Sequence, residues 1–463
     1  MKRLTALWMV ILLAFLSGVG LGEENSVQNE LLAQTDLSDS SLYAPGEVLI
    51  KWASGMMKTE ASDTLLVQLG GTRIQSFESI SIDHVRLPEG RSVESAIAEL
   101  KGNPKVVYAE PNYTRKLNAT PNDTHFSLQW GLHNSGQKVD GVTGIADADI
   151  DAPEAWDIST GSKGVVVAVI DTGIDWSQPD LYANLWFNPG EGATADGVDN
   201  DHNGYVDDTI GWNFGDDDNT PIDEHGHGSH VAGIIGAAGN NGAGTTGVCW
   251  NISLMPLRVM DNNGNIYVSS EIKALEYAYN KQVKIINISM GNYTFSQSEK
   301  DAIDLNYQAV VVCAAGNDGG NNENKKHYPS SYASPNIIAV AASDQADNLA
   351  SFSNYGGTTV DLAAPGVNIL STIDKGGFDY YNGTSMAAPM VTGTAALVLS
   401  VASISPAEVI QAILTTVDVN TGYVGKMVAG GRLNAYRAVA AVSGGDDDDG
   451  GGGGCFIQTT LWK

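Results

Sequence analysis

Residues 165–173 read Val-Val-Val-Ala-Val-Ile-Asp-Thr-Gly, an apolar run that ends in an aspartate and a turn. A strand with no polar face has to be covered on both sides, as strands of parallel sheets are. Four similar runs follow, and helical patterns alternate with them. The runs span 253–259, 283–289, 309–315 and 337–342, and the helical patterns span 227–237, 269–281, 298–306 and 385–402. This alternation predicts an α/β fold, with a mostly parallel central sheet and helices on both faces.

The helical pattern at 385–402 is apolar enough to resemble a membrane-spanning helix. It carries Ser385, Pro389, Thr392 and Thr394, however, and we interpret it as the buried central helix of a large core. We expect Pro389 in its first turn, where a backbone N–H has no helical partner to lose.

Three segments bring reactive side chains to strand ends or helix starts, where chemistry gathers in open parallel sheets. Asp171 ends the first strand, His227 opens residues 227–233 (His-Gly-Ser-His-Val-Ala-Gly), and Ser385 lies within residues 383–389 (Gly-Thr-Ser-Met-Ala-Ala-Pro). A serine hydroxyl becomes nucleophilic when an imidazole takes its proton and a carboxylate fixes the tautomer of that imidazole. The sequence therefore predicts a catalytic triad. Taken singly, the aspartate could cap a turn and the serine could cap a helix.

A fourth segment supplies a donor for a developing oxyanion. Residues 314–319, Ala-Ala-Gly-Asn-Asp-Gly, place the amide of Asn317 just past another apolar strand. We predict an oxyanion hole formed by Asn317 and the backbone N–H of Ser385.

These four segments, in the order Asp, His, Ser, resemble those of the subtilisin-type serine peptidases, and the similarity runs from about residue 129 to residue 441. The resemblance implies a secreted endopeptidase that cleaves proteins or peptides through an acyl-enzyme. It also implies two strand edges that hold an extended substrate. The residues of these edges are Ser289, Met290 and Gly291 on one side and Gly264, Asn265 and Ile266 on the other. Asp318, His327 and Tyr328 are expected to border the first specificity pocket.

A structural calcium ion is expected at residues 199–208, where oxygen-bearing side chains recur at every second position before a glycine turn. The candidate ligands are Asp199, Asp201, Asn203, Tyr205 and Asp208. Ile210 stands where an EF-hand has its glutamate, so the loop is not an EF-hand, and a turn without metal is the alternative. Asp180 and the loop at Asn240–Asn241 resemble the family's second calcium site. A zinc site at His225, His227 and His230 is a further alternative.

The chain is divided by its composition and motifs. An apolar run after Lys2-Arg3 predicts a signal peptide over 1–22, followed by a polar linker over 23–42. Residues 43–117 show short strands and helices and resemble the family's inhibitory propeptide. The peptidase domain is predicted over 118–443, followed by an Asp/Gly-rich flexible tail over 444–463. The expected precursor is a zymogen that cuts itself between residues 113 and 123 and uses its own propeptide as an inhibitor.

The formal net charge is −29, and 40 of the 54 acidic residues lie from Asn118 onward. Such a field repels phosphate backbones, so no nucleic-acid partner is expected. The three cysteines, Cys249, Cys313 and Cys455, are too few for a disulfide framework. Buried thiols are predicted at the first two, and a Cys249–Cys313 bridge is the alternative. We expect a monomer with no organic cofactor, secreted or extracellular, with surface attachment through the tail as an alternative.

Two other function classes use features of this sequence. An α/β-hydrolase esterase also uses Ser, His and Asp, but in another order, and residues 383–387 lack the second glycine of its nucleophile elbow. A binding protein on a retired peptidase fold is the non-enzymatic alternative, although each predicted catalytic position retains a reactive residue.

Overall fold

The computed structural model describes residues 43–114, 119–192 and 195–444, and the chain forms two compact units that divide after Leu117. The predicted signal peptide, the linker, almost all of the tail and Cys455 lie outside the described residues.

The first unit is a small α+β domain with a four-stranded antiparallel sheet in the order β2-β3-β1-β4. Its elements are β1 (Tyr43–Trp52), α1 (Glu60–Leu69), β2 (Thr72–Phe77), β3 (Ile82–Arg86), α2 (Val93–Leu100) and β4 (Val106–Tyr113). Trp52, Leu69 and Leu100 are fully buried in its core. Strand β2 was not predicted, because most of its side chains are exposed and it lacks an apolar alternation.

The second unit contains a nine-stranded sheet in the order β16-β17-β13-β12-β11-β10-β7-β9-β8, parallel except for its β16–β17 pair. Its strands are β7 (Gly161–Asp171), β8 (Trp212–Asn213), β9 (Asn251–Arg258), β10 (Ile285–Ile288), β11 (Val310–Ala314), β12 (Ile337–Ser343), β13 (Leu362–Pro365), β16 (Asp418–Val419) and β17 (Gly431–Arg432). Two hairpins lie outside this sheet, β5 (Lys138–Val139) with β6 (Val142–Thr143) and β14 (Ile369–Thr372) with β15 (Phe378–Tyr381). The predicted α/β fold is confirmed.

Strand β7 shows why the quoted apolar run sits at the centre of the fold. Val167 and Val169 face one hydrophobic cluster, whereas Ala168 and Ile170 face the other, and all four are fully buried. Both faces of the sheet are therefore covered, and the strand ends with Asp171 at the carboxyl edge.

Helices cover the two faces of the large sheet. They are α3 (Ala152–Trp156), α4 (Pro179–Tyr182), α5 (His227–Gly236), α6 (Val268–Asn280), α7 (Gln297–Leu305), α8 (Thr384–Val401), α9 (Pro406–Leu414) and α10 (Ala435–Ser443). Helix α8 is long and apolar enough to span a membrane, but most of it is buried inside the protein, in agreement with its interpretation as a core helix.

The position expected for Pro389 was wrong. Helix α8 begins at Thr384, so Pro389 is its sixth residue and lies in the helix interior rather than in the first turn. A proline at this position removes one i to i−4 backbone hydrogen bond. The carbonyl that loses its partner is that of Ser385.

Candidate active site

Asp171 and His227 meet at the carboxyl edge of the sheet. The Nδ1 atom of His227 lies 2.7 Å from Oδ1 of Asp171. The aspartate is fully buried, and the imidazole is about one quarter exposed (24%). Oδ1 also accepts from the backbone N–H of Thr172 at 2.7 Å, whereas Oδ2 is buried and has no hydrogen-bond partner among the described residues. A carboxylate held in this way fixes the proton of His227 on Nδ1 and leaves Nε2 available as a base.

The surroundings of His227 hold its pKa above the ordinary value for histidine. Burial of the ring acts in the opposite direction, but the negative charge and hydrogen bond of Asp171 outweigh it, with a further contribution from Asp223. The imidazolium form is therefore stabilised, which is what a base that gains a proton during the reaction requires.

Asp223 is a site residue that the sequence analysis missed. Its Oδ1 accepts from the hydroxyl of Thr172 and from the backbone of His225 and Gly226, and its Oδ2 accepts from the N–H of Ser229. It therefore satisfies free donors at the start of α5 and ties that helix to the Asp-Thr-Gly turn. An acidic residue four positions before a helix-opening histidine is the sequence signal that could have identified it.

Ser385 is the second residue of α8 and is partly exposed. Within the part of the chain that the structure describes, this hydroxyl donates to the carbonyl of Ser289 at 2.8 Å rather than to His227. Catalytic hydrogen bonds are often unformed in unliganded enzymes and tighten only with substrate. Rotation about the Cα–Cβ bond of Ser385 would turn its hydroxyl away from the carbonyl of Ser289.

Asn317 follows β11 and is exposed. Its side-chain oxygen accepts from both the N–H and the hydroxyl of Thr384, each at 2.9 Å. The oxygen end of the amide is therefore fixed at the start of α8. The Nδ2 donor lies at the other end of this amide, beside the helix that carries Ser385. Nδ2 of Asn317 and the backbone N–H of Ser385 are the two groups expected to form the oxyanion hole.

The two predicted substrate edges differ in exposure, since Gly264, Asn265 and Ile266 are exposed whereas the other edge begins at a buried serine. Met290 and Gly291 follow the buried Ser289, and a Cβ atom on Gly291 would lie 2.2 Å from the carbonyl oxygen of Tyr328, so this segment packs without space for a side chain. On the other edge, Gly264 and Asn265 form a turn with Asp261. Ile266 then forms an isolated antiparallel bridge with Met260.

The expected border of the first specificity pocket includes a small polar cluster. The Tyr293 hydroxyl donates to the carboxylate of Asp318, and the ammonium of Lys325 lies 3.6 Å from the centre of the Tyr293 ring. Burial lowers the pKa of His327 to about 4, so this imidazole is neutral at pH 7.

The acidic loop at 199–208 brings together only some of its predicted ligands. Carboxylate oxygens of Asp201, Asp208 and Glu191 lie within 4.8 Å of one another. The Nζ atom of Lys281 contacts the same cluster, 2.5 Å from Asp201 and 3.4 Å from Asp208. Three carboxylates against one ammonium leave a net negative charge there. Glu191 was missed because it lies outside the loop.

The remaining predicted ligands of this loop have other contacts. The Asp199 carboxylate accepts from the N–H groups of Asn203 and Gly204, the Asn203 amide donates to Asp208, and the Tyr205 ring packs edge-on against Trp212.

Asp180 belongs to a separate buried cluster. It accepts from the side chain of Asn241 at 3.0 Å and from the backbone of Thr245 at 2.9 Å. Asp123 lies nearby and accepts from the N–H of Asn240, but no residue in the described part of the chain donates to its buried Oδ1. Burial raises the pKa of both carboxyl groups, and the charge of Asp180 adds to the shift at Asp123. Two buried carboxylates with an orphaned oxygen fit a cation.

The zinc alternative was wrong. His227 contacts Asp171, the Nε2 of His230 faces the carbonyls of Ile369 and Asp379, and His225 is exposed, so the three imidazoles do not converge.

The cysteines agree with the prediction, since Cys249 and Cys313 are buried thiols.

Comparisons with known proteins place these observations in a family. Residues 162–443 match the subtilase family, and residues 32–112 match the fervidolysin N-terminal prodomain. The chain is 36% identical over 404 residues to a thermophilic serine proteinase of Bacillus sp. (strain AK1), which covers 87% of this chain and 89% of that protein. It is 38% identical over 323 residues to thermitase of Thermoactinomyces vulgaris, covering 69% and 99%.

Among solved structures, proteases from Pseudoalteromonas arctica share the fold with a TM-score of 0.55 and 29% sequence identity, covering 70% of this chain and all of that one. The match over the large unit confirms the resemblance drawn from the four motifs and excludes the α/β-hydrolase esterase as a family assignment. The protein belongs to the subtilase family of serine peptidases and carries an N-terminal prodomain of the fervidolysin type.

Proposed function

We propose that this protein is a secreted serine endopeptidase that uses Asp171, His227 and Ser385 as its catalytic triad and Asn317 in its oxyanion hole. The observation that carries the proposal is the 2.7 Å hydrogen bond between His227 Nδ1 and the buried Asp171 carboxylate. It supports a neutral imidazole whose Nε2 can accept the proton of a serine.

The proposed reaction has two halves. The oxygen of Ser385 attacks the scissile carbonyl carbon while His227 takes the hydroxyl proton, and the resulting oxyanion accepts hydrogen bonds from Asn317 and the Ser385 N–H. His227 then gives its proton to the departing amine, and an acyl-enzyme remains. Water, deprotonated by the same imidazole, releases the acyl group and restores the hydroxyl. Asp171 stays ionised throughout and stabilises the imidazolium.

The substrate is proposed to bind in an extended conformation between the two edges. Ser289, Met290 and Gly291 supply one edge and Gly264, Asn265 and Ile266 supply the other, through their backbone groups. The exposure of Gly291 and of residues 264–266 supports this assignment. The net charge of −29 supports peptide substrates over nucleic acids.

The first unit is proposed to act as an inhibitory propeptide that the enzyme removes itself. The match of residues 32–112 to a prodomain supports this role. Secretion is proposed because the N-terminal sequence has the composition of a signal peptide and a relative from Xanthomonas campestris is named an extracellular protease. We also propose that the mature enzyme is a monomer.

Calcium is proposed as a structural ion at two sites. Asp123 and Asp180 would hold one ion, together with the side chain of Asn241, and the orphaned oxygen of Asp123 supports this site. The acidic loop would hold the other through Asp201, Asp208 and Glu191, with Asp199, Asn203 and Tyr205 supplying further oxygens from the loop. Lys281 contacts the same carboxylates, so an ion there has to displace this ammonium. A bound ion supplies positive charge that neutralises the clustered carboxylates.

The function is tested by expressing the precursor and its Ser385→Ala variant. Wild-type protein should release a mature form, cleave internal peptide bonds of a peptide library and react with a fluorophosphonate at one serine. The variant should stay at precursor length and remain unlabelled. A variant that matures and cleaves like the wild type when purified alone would disprove the assignment of the nucleophile.

A further inference from the structure

The carbonyl of Ser385 has an unusual partner. In an α-helix this group accepts from the N–H four residues later, but that residue is Pro389, which has none. The carbonyl instead accepts from the hydroxyl of Ser289 at 3.1 Å. The main chain of the proposed nucleophile is therefore attached to the segment that follows the central strand β10.

The hydroxyl of Ser289 is itself fixed by a buried chain of side chains. It accepts from Nδ2 of Asn287 at 2.9 Å, and Oδ1 of Asn287 accepts from the hydroxyl of Thr392 at 2.8 Å. Asn287 and Thr392 are 0% exposed and Ser289 is 2% exposed. The donors run in one direction, from the Thr392 hydroxyl to Asn287, from the Asn287 amide to Ser289, and from the Ser289 hydroxyl to Ser385. The Thr392 hydroxyl also lies 3.1 Å from the carbonyl of Ala388 in its own helix, a longer contact than the 2.8 Å to Asn287. Buried networks that are fully satisfied in this way are rigid.

This series of hydrogen bonds begins and ends on the same helix, α8. Ser385 and Thr392 are seven residues apart, two turns of α8, and lie on the same face. The strand β10 provides the other half of this series through Asn287. Ser289 also accepts the Ser385 hydroxyl on its own carbonyl, so one residue contacts both the main chain and the side chain of the nucleophile.

We propose that Thr392, Asn287 and Ser289 form a positioning chain that sets the location of the Ser385 oxygen and N–H relative to His227 and Asn317. This role rests on the proposed function of Ser385 as the nucleophile. Thr392 and Asn287 are buried and act only through Ser289. A misplacement of about 1 Å in a reacting group lowers turnover by as much as about 10²-fold.

The helix offers a matched control. Thr394 is as buried as Thr392, two residues further along α8, but its hydroxyl donates to the carbonyl of Met390 in the same helix and to no other group in the residues that the structure describes. Thr392→Val and Thr394→Val remove the same hydroxyl from the same helix, and only the first removes a member of the positioning chain. Thr392→Ser restores the hydroxyl.

Each variant is assayed in the mature enzyme for kcat and KM on a peptide substrate, and for the second-order rate of labelling by a small fluorophosphonate. The fluorophosphonate reports on the nucleophile without binding along the substrate edges. We expect Thr392→Val and Ser289→Ala to lower kcat and the labelling rate by about 10- to 100-fold with KM within about twofold. Thr394→Val should change neither rate, and Thr392→Ser should recover most of the loss.

Two results would overturn the inference. If Thr392→Val and Thr394→Val have the same kcat, the hydroxyl has no positioning role. If Ser289→Ala loses peptide cleavage but keeps the wild-type labelling rate, the segment serves only the substrate edge. Thermal unfolding of each variant shows whether a loss of activity is caused by misfolding. If Thr392→Val is misfolded, the rates of Ser289→Ala and Thr392→Ser decide whether the positioning chain has its proposed role. A wild-type enzyme that fails to react with the fluorophosphonate would instead contradict the proposed function.

Discussion

Replacing Gly228 by alanine should separate the histidine from its aspartate. Gly228 is the residue after His227, and a Cβ atom added to it would lie 2.1 Å from the carbonyl oxygen of Gly173, two residues after Asp171. Contacts of a Cβ atom below 3.0 Å essentially never occur in proteins. The start of α5 and the Asp-Thr-Gly turn must therefore move apart by about 1 Å, since a close-packed interior leaves no void to absorb the change.

A movement of that size would lengthen the 2.7 Å contact between His227 and Asp171 beyond hydrogen-bond range. We expect kcat on a peptide substrate to fall by about 10²-fold, and overpacking to lower the free energy of unfolding by about 1 to 3 kcal/mol. The sign of the change in the free energy of unfolding distinguishes overpacking from helix propensity, because alanine normally stabilises a helix relative to glycine by about 1 kcal/mol.

Gly164→Ala is the control, since a Cβ atom there would meet only the Ser162 side chain at an ordinary 3.5 Å. Kinetics and denaturant unfolding of both variants make the comparison. A Gly228→Ala enzyme with kcat within twofold of the wild type would refute the reasoning, because the close contact would then be relieved without displacing the site.

Three further predictions concern the same unit. Asp171→Asn should lower kcat by about 10⁴-fold with KM little changed, because the wrong tautomer of the imidazole would be favoured; steady-state kinetics measure this, and a loss below tenfold would contradict it. Because the pKa of His227 is raised and only its neutral form is a base, kcat/KM should rise with pH through a midpoint above the ordinary histidine value. Asp223→Asn should shift that midpoint downward, and an unchanged pH profile would exclude the electrostatic role of Asp223. Chelation of calcium should lower the melting temperature by several degrees, because binding energy of about 3 kcal/mol is lost. Asp123→Asn should reduce this chelator-dependent shift of the melting temperature. An equal shift in the wild type and the variant would rule out a calcium ion at Asp123.

The parallel sheet could be predicted because its strands are apolar on both faces, a pattern that few other structures produce. Strand β2 escaped prediction because it is polar and mostly exposed, and its identity depends on pairing with β3. Helix α9 was missed although Ser405 and Glu408 form a capping box at its start, so here a readable signal was overlooked.

The candidate site, like the fold, could be predicted only in part from the sequence. Its four reactive residues are marked by local motifs, whereas their supporting partners come from distant segments. Glu191 and Lys281 join the acidic loop across the fold, and no spacing rule connects them to it. The interior position of Pro389 follows from the start of α8 at Thr384, five residues before the proline, which the sequence motif alone did not define.

The location of the proposed nucleophile on a largely buried helix also affects how the enzyme loses activity over time. Ser385 is the second residue of α8, and most of this helix is enclosed by the core. A molecule whose core partly unfolds therefore loses its peptidase activity at the same time as it exposes loops that can be cleaved. Partly unfolded molecules are then cleaved by intact enzyme and do not themselves cleave other molecules. Inactivation in a concentrated solution should consequently follow second-order kinetics, with intact enzyme consuming the opened fraction.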